Sequence, residues 1–353
     1  MVLQLDYGKG SRGKIDTDRR EQRMKSAYAK YISGLILFGL NGIVSSKILM
    51  SSYEIVFFRT LIGSVFLAIV YFMFARRSKQ PLDRGVNAAE SDGTDGGASS
   101  IFSFSVSMKK EILFVVLSGI VMGLSWIFLY EAYVRIGVGL SSITYYCGPV
   151  IVMLSAPLVF HKKLKASQYL CFVVVFAGIM LVSLPGVMGQ GSVDVIGLLC
   201  GFASAAFHAL MVIFTMKAPH ITGVKNSMIQ LAVSWVTVAL FLFGGKTVSL
   251  PDSPEQWFWI LFLSIVNTGI GCYLYFSDVS KLPVANVSIL GYLEPLSAVI
   301  FAVLLLHESL SLPEMIGAVL ILGGAIVTTI NDKKEEEQVV SQVEDQVRSN
   351  VTE

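Results

Sequence analysis

Charge is what this 353-residue sequence has least of. Asp, Glu, Lys and Arg make up 15% of it, against roughly 25% in soluble globular domains. With 54% of residues in the set AVILMFWYC and a mean hydropathy of +0.67, the chain has too little polar surface to cover a soluble fold, which excludes a soluble globular enzyme. Intrinsic disorder and a collagen-like chain are excluded by the same composition. Cysteine is equally sparse. Cys147, Cys171, Cys200 and Cys272 all lie inside apolar stretches with no CxxC, so a disulfide or metal framework is excluded. The four histidines form no HxxxH or HExxH pair, and neither a metal site nor a cofactor motif is expected. Nothing in the sequence points to nucleic acid. The ten-residue apolar–polar alternation of an outer-membrane barrel is also missing.

What is there is a series of long apolar runs. They read as ten helices, at about 27–47, 53–75, 110–133, 138–160, 166–186, 193–216, 225–244, 255–277, 283–306 and 312–331. Each is long enough to cross roughly 30 Å of hydrocarbon at 1.5 Å per residue. The expected fold is therefore all-α, a polytopic membrane protein. Residues 1–26 form a basic tail, with Lys9, Arg12, Lys14, Arg19, Arg20, Arg23 and Lys25. The first apolar run is too long for a cleaved signal and is read as an uncleaved helix. Residues 76–109 contain the Gly/Ser/Asp-rich run DGTDGGASS and are read as a mobile loop. Residues 332–353 are a charged tail.

Orientation follows from Lys and Arg. With the N-terminus in the cytoplasm, 23 of the 27 fall on the inner side, three (Lys47, Arg135, Lys246) on the outer side, and Arg59 within a helix. This bias puts both termini in the cytoplasm of a cell-membrane protein and favours an even number of spans.

The chain also repeats. Shifted by 146 residues, 135–178 aligns without a gap on 281–324, with 11 identities in 44 positions. They include Tyr146/Tyr292, Pro149/Pro295, His161/His307 and Gly178/Gly324. Spans 1–5 (27–186) then repeat as spans 6–10 (193–331). Five is an odd number, so the second copy enters the membrane upside down. Two inverted five-helix repeats are a signature of secondary transporters, whose sites lie near the midplane at the repeat interface.

Three segments carry a family resemblance: FFRTLIGSVF (57–66), LYEAYVRIGVGLSSITYYCGPV (129–150) and KLPVANVSILGYLEPLSAVIFAVLLLHESLS (281–311). They resemble the EamA branch of the drug/metabolite transporter superfamily over about residues 30–331. In that family an arginine lies early in helix 2, as Arg59 does. Helices 4 and 9 carry a central proline, matched by Pro149 and Pro295. Glu-Pro is frequent in helix 9, matched by Glu294-Pro295, and a glutamate begins the next loop, matched by Glu308. Lys162 departs from the glutamate usual in the first repeat, and the 76–109 loop is longer than usual. The resemblance implies an exporter of amino acids, related metabolites or drugs, with a cavity lined mainly by helices 1, 3, 4, 6, 8 and 9.

Several residues could carry the chemistry. Glu294 lies about 11 residues into span 9, near the midplane, where a carboxyl is costly and is a functional hypothesis by default. Pro295 has no N–H to give the carbonyl of Gly291, so that acceptor is expected to be free beside the carboxyl. The two together suit a proton or cation site. Arg59 is expected to form an ion pair at the outer rim with Glu131 or Glu54, the alternative being a clamp for a substrate carboxylate. Trp126, Tyr130, Tyr145, Tyr146, Tyr273, Tyr275 and Tyr292 crowd spans 3, 4, 8 and 9. Of these, Trp126, Tyr145, Tyr146, Tyr273 and Tyr292 are candidates to line a cavity for an aromatic or apolar ligand. Asn41, His208 and Asn267 are candidate polar lining groups, with interhelical bonding as the alternative. Gly119xxxGly123 and Gly197xxxGly201 are read as internal packing sites rather than dimer seams, and a homodimer stays open. The expected function is alternating-access transport of a small metabolite, most simply export, with a proton as candidate coupling ion. The competing class is an intramembrane enzyme using Glu131, Asp278 or Glu294.

Overall fold

The computed structural model describes residues 7–78, 97–161, 165–183, 194–243, 248–307, 311–313, 315–324, 326, 327 and 330. Helix is the only regular structure among them. In chain order the helices are α1 (Tyr7–Gly39), α2 (Asn41–Ser45), α3 (Ser52–Ser78), α4 (Gly97–Tyr145), α5 (Gly148–Phe160), α6 (Ala166–Ser183), α7 (Val195–Met216) and α8 (Gly223–Phe243). α9 (Pro254–Phe262) follows, then a π-helical segment (Leu263–Ile270), α10 (Gly271–Ser277), a short 3-10 turn (Val279–Lys281), α11 (Val284–Leu290) and α12 (Leu293–Leu306). An apolar helix, α13, covers Met315–Gly324.

Eight stretches are long and apolar enough to cross a bilayer, among them Glu21–Ser45, Ser52–Met73, Met108–Gly137 and Val284–Leu305. Two shorter apolar helices, Ala166–Leu181 and Met315–Gly324, fall where the fifth and tenth spans are expected. At most half of each long span is buried by its neighbours. Leu158, Phe72 and Leu240 are among the large apolar side chains left on the outside, where lipid rather than water suits them. The protein is a multi-pass membrane protein.

Two expectations need correction. α1 begins at Tyr7, so much of the basic 1–26 segment is a helical extension of the first span rather than a bare tail. α3 runs to Ser78 and α4 starts at Gly97, so helix occupies both ends of the 76–109 segment; its middle, 79–96, lies outside the described residues, as does the 332–353 tail. The boundary between spans 3 and 4 falls where the sequence places it: Gly137, with φ 73° and ψ 165°, is non-helical and breaks α4 into two helices, the spans Met108–Gly137 and Ser141–Phe160. That backbone region is open to glycine at little cost.

Helices break at matched places. α4 ends at Tyr145 and α5 begins at Gly148; α11 ends at Leu290 and α12 begins at Leu293. Pro149 and Pro295 sit in the first turns of the second halves, where a missing N–H leaves no hydrogen bond unmade. His161 ends α5 with φ 53°, and His307 follows α12 with φ 56°. These two are the only non-glycine residues with positive φ among the described residues, and they are 146 positions apart.

Close helix contacts are made by glycine. A Cβ on Gly119 of α4 would meet the Gln230 carbonyl oxygen and the Val233 Cβ of α8, both at 2.8 Å. A Cβ on Gly201 of α7 would meet Thr144 Oγ1 at 2.0 Å, and one on Gly197 the Ile136 side chain at 2.5 Å. Both GxxxG pairs thus lie at internal contacts. Gly119→Ala is expected to destabilise by about 1–3 kcal/mol through overpacking, lowering the melting temperature in detergent. Gly42→Ala, where a Cβ meets nothing within 4 Å, is the control and should lose only a fraction of that. Equal melting temperatures for Gly119→Ala and the parent would show that α4 and α8 part without cost.

Candidate substrate-binding cavity

A cavity of about 420 Å³ lies between the end of α1, α2, the start of α3, the second half of α4 and the broken helices. Its mouth is at Ser45, Ser46, Met50 and Ser52 on one side and Tyr133 and Val134 on the other; its floor holds Tyr145, Tyr146, His208, Tyr275 and Glu294. The wall is largely aromatic, with Trp126, Tyr130 and Tyr133 presented by one face of α4. Below the floor is a chamber of about 20 Å³ that shares Tyr145, Tyr146, His208, Tyr275 and Glu294 with the cavity above. Tyr31 closes that chamber, its hydroxyl donating to the Val287 carbonyl at 2.9 Å.

Most charged groups near the bundle are already paired. Asp278 holds Lys30 at 2.6 Å and also Lys281. Glu111 accepts from the His220 ring at 2.6 Å and the His220 backbone N–H at 2.9 Å. Glu54 accepts from Ser51 N at 2.9 Å, Ser51 Oγ at 2.7 Å, Ser249 N at 2.7 Å and Ser249 Oγ. Glu131 accepts from Arg135 Nε at 2.7 Å, and Arg135 reaches on to Asp194 at 3.1 Å. Arg135 and the Ile196 N–H hold the Asp194 carboxyl below its ordinary range.

Two charged groups are different, and both face the cavity. Arg59 donates from Nε to Thr268 Oγ1 at 3.1 Å and lies 4.5 Å from the centroid of the Trp126 ring. Among the described residues no carboxylate pairs with it, so the expected rim ion pair with Glu131 or Glu54 is not formed. Both carboxylates are already engaged: Glu131 with Arg135 one turn along α4, and Glu54 with Ser51 and Ser249. The guanidinium is held by Nε and by the Trp126 ring, and Arg59 lines the cavity. Glu294 is the second. Its carboxyl accepts no hydrogen bond among the described residues while lining both cavity and chamber. The freed-carbonyl expectation is corrected here: Gly291 O accepts from Glu294 N at 3.3 Å, so the turn satisfies itself.

The other candidates divide. Asn41, Trp126, Tyr145, Tyr146 and His208 line the cavity, with Tyr145 Oη 2.8 Å from His208 Nδ1. Asn267, Tyr273 and Tyr292 do not. Asn267 lies on the π-helical segment and donates to the Leu37 carbonyl at 3.1 Å and to Asn41 Oδ1 at 3.3 Å, tying down the break between α1 and α2. Tyr292 is fully buried and donates to the Tyr146 carbonyl at 3.0 Å, at the other break. Tyr273 packs at the edge of the core. Tyr130 and Tyr275, crowded with the candidates in sequence, do line the cavity, as does Tyr133. Residues 122, 125, 126, 129, 130 and 133 are one helical face, and that spacing is the signal which could have found Tyr133.

This arrangement defines a class: a membrane-embedded carrier with one cation and one carboxyl facing a shared aromatic cavity. The sequence model of the EamA-like transporter family matches residues 26–184 and again 195–330. The chain belongs to that family of small-molecule membrane transporters. It is 21% identical over 318 residues to the uncharacterized transporter YxxF of Bacillus subtilis (strain 168), covering 89% of this chain and 93% of that one. It is 25% identical over 248 residues to the uncharacterized transporter YetK of the same organism, covering 65% and 71%. One solved crystal structure superposes with a TM-score of 0.68 at 16% identity, over 88% of this chain and 99% of that chain; this likeness concerns the fold.

The pairing pattern separates Arg59 from Glu131. Glu131→Gln should insert at the parent level and keep solute flux in proteoliposomes within about two-fold, since it loses only an exposed pair worth under about 1 kcal/mol. Arg59→Gln should insert but lose at least ten-fold in flux. Parallel losses in the two variants would mean that Glu131 and Arg59 act together after all.

Proposed function

We propose that the protein is a secondary transporter that moves a small organic metabolite, an amino acid or a related compound with an apolar or aromatic side chain, across the cell membrane by alternating access, in the direction of export. The observation that carries this reading is that Arg59 and Glu294, neither in an ion pair among the described residues, line one aromatic cavity of about 420 Å³. A guanidinium held by Nε and stacked on a ring offers its planar fork to a carboxylate. The surrounding rings supply apolar area and hydroxyl hydrogen bonds. Glu294 at the floor meets either the solute's ammonium group or a proton, and it is the coupling group.

The chain crosses the membrane ten times, as two inverted five-helix repeats with both termini in the cytoplasm. α6 and α13 are the fifth and tenth spans. Reciprocal contacts support the repeat. A Cβ on Gly178 would meet Gly317 O at 2.8 Å and Ile321 Cγ1 at 3.0 Å; one on Gly324 would meet Cys171 O at 3.4 Å and Val175 Cγ2 at 2.2 Å. Gly178/Gly324, Cys171/Gly317 and Val175/Ile321 are all 146 residues apart, so each half touches the other at the same two places. That is the mark of a two-fold axis, and five spans per copy turn it into the membrane plane. The positive-inside bias then directs the cavity mouth outward.

Counterflow into proteoliposomes tests the substrate. A panel of amino acids, each with its C-terminal amide and N-acetyl derivatives, should give exchange for free amino acids and at least a ten-fold loss when the carboxylate is capped. Equal exchange of capped and free forms would remove Arg59 as the anchor. Glu294→Gln keeps shape and hydrogen-bonding capacity, so it should fold normally, abolish pH-gradient-driven accumulation and spare part of the exchange. An unchanged pH profile in that variant would move any proton coupling elsewhere. For topology, a reporter fused after Glu353 should be active only in its cytoplasmic form and one at Gly189 only in its external form.

A further inference from the structure

Away from the cavity, a second polar cluster is sealed inside the bundle. Gln230 of α8 accepts at Oε1 from Ser118 Oγ at 2.7 Å and donates from Nε2 to Asn226 Oδ1 at 2.9 Å and to Thr215 Oγ1 at 3.3 Å. Asn226 donates to the Phe276 carbonyl at 3.0 Å, and the neighbouring Ser227 to the Cys272 carbonyl at 3.1 Å. Ser118, Asn226, Ser227 and Gln230 are 0% exposed and Thr215 1%. Two carboxamides at this depth are expensive, and glycine contacts alone would hold α4 on α8.

Their positions suggest why they are there. Arg59 is the eighth residue of α3 and Gln230 the eighth of α8; Ile55 and Asn226 are the fourth of each. α3 and α8 are the second long helices of the two family matches. The 146-residue offset, which holds for the later spans of each half and not for α3 and α8, carries Tyr130 to Phe276 and Tyr133 to Val279 when extended a few residues upstream. Ile55, Arg59, Tyr130 and Tyr133 all line the outer cavity. Their counterparts on α8 are sealed instead. Asn226 and Gln230 are 0% exposed and Asn226 is bonded to the Phe276 backbone; Phe276, which also lines the outer cavity, packs with Val279, Met211, Val212 and Met216 in one core.

We infer that Thr215, Asn226 and Gln230 line the inward-facing cavity of this transporter, which in the present conformation is shut by the seam between α8 and residues 272–282. The inference rests on the alternating-access reading above. When that seam opens, the polar head of the solute meets two neutral carboxamides on the cytoplasmic side in place of the guanidinium it meets outside. Asn226 and Ser227 are then positioning residues: their bonds to the Phe276 and Cys272 carbonyls hold the inner face closed.

The test uses full-length protein in right-side-out and inside-out vesicles, with the four native cysteines replaced by alanine. Thiol reporters are introduced by Ile55→Cys for the outer cavity and Met216→Cys for the inner core, and membrane-impermeant maleimide is applied from one side at a time. In this background the outer thiol should label readily from outside and the inner thiol slowly from inside. Asn226→Ala should raise the inner rate at least five-fold and lower the outer rate, since one population drains into the other. Ser227→Ala removes the second bond with a smaller change in shape, should act in the same direction, and decides the matter if Asn226→Ala does not fold. Unchanged inner labelling in the latch variants overturns the inference. So does a rise in inner labelling with no fall outside, which marks local loosening. Alternating access itself fails on a separate readout: in the protein carrying both thiols, labelling from both sides together faster than either variant interconverts would mark an open channel.

Discussion

A bilayer has no water to satisfy a backbone carbonyl, so every break in a membrane helix must bring its own donor. Much of this structure follows from that constraint. The break between α1 and α2 is closed by Asn267 on the Leu37 carbonyl. The break between α4 and α5 is closed by Tyr292 on the Tyr146 carbonyl. The end of α10 is met by Asn226 and the middle of α11 by Tyr31. Ser125 and Ser118 give their hydroxyls to the carbonyls of Ser204 and Met211. Many buried hydroxyls, Thr60, Ser141, Ser264 and Ser288 among them, serve carbonyls of their own helix, but Ser118, Ser125, Asn226, Ser227, Asn267 and Tyr292 each donate to a carbonyl of another segment. Those bonds fix which helices are neighbours more firmly than apolar contact does, because apolar side chains can exchange a protein neighbour for lipid at little cost.

The same constraint makes the exceptions informative. Once the carbonyls are served and Glu54, Glu111, Glu131 and Asp278 are paired, Arg59 and Glu294 are left facing an open space. The π-helical segment contributes to this. Its wider turn lets Thr268 satisfy the Leu263 carbonyl five residues back, at 2.9 Å, and still accept from Arg59. An α-helical register there would carry Asn267 and Thr268 round the axis, away from α1 and α3. Such local widening is frequent where a helix must aim a functional group.

The large features were legible in the sequence because they depend on a one-dimensional property. Apolar span positions and the matched breaks at Pro149 and Pro295 follow from hydropathy, proline chemistry and a fixed offset; the offset also pairs His161 with His307, whose left-handed backbone only the structure shows. Side-chain direction depends on register, and there the reading divided. Asn41, Trp126, Tyr145, Tyr146 and His208 reach the cavity. Tyr273 does not and Tyr275 does, because two residues apart on one α-helix they face roughly opposite sides. Asn267 and Tyr292 were recognised as polar groups in apolar helices, but a sequence does not say whether such a group serves a ligand or a carbonyl. Arg59 was expected to find a carboxylate because Glu54 and Glu131 lie at the same end of spans 2 and 3; Glu131 is instead held by Arg135 one turn along α4 and Glu54 by Ser51 and by Ser249, of which only the Ser249 approach is hidden from local spacing.

The two halves are alike in backbone and unlike in chemistry, and that difference has a structural basis. Glu294 corresponds to Gly148, where a Cβ would lie 3.0 Å from the His208 ring and 3.2 Å from the Ala205 carbonyl. A carboxyl could not be accommodated there without moving α7, so the imidazole fills in the first half the volume that Glu294 fills in the second. Arg59 corresponds to Gln230, a cation facing open space against a neutral amide held in a network. A strictly symmetric inverted pair would present the same site to both sides and bind equally on each. Placing the guanidinium on one side of the proposed exchange, with Glu294 shared between the cavity and the chamber below it, makes the outward- and inward-facing sites chemically different. A bound solute or proton then has a differential affinity for the two states, which is the only means by which it can shift the balance between them.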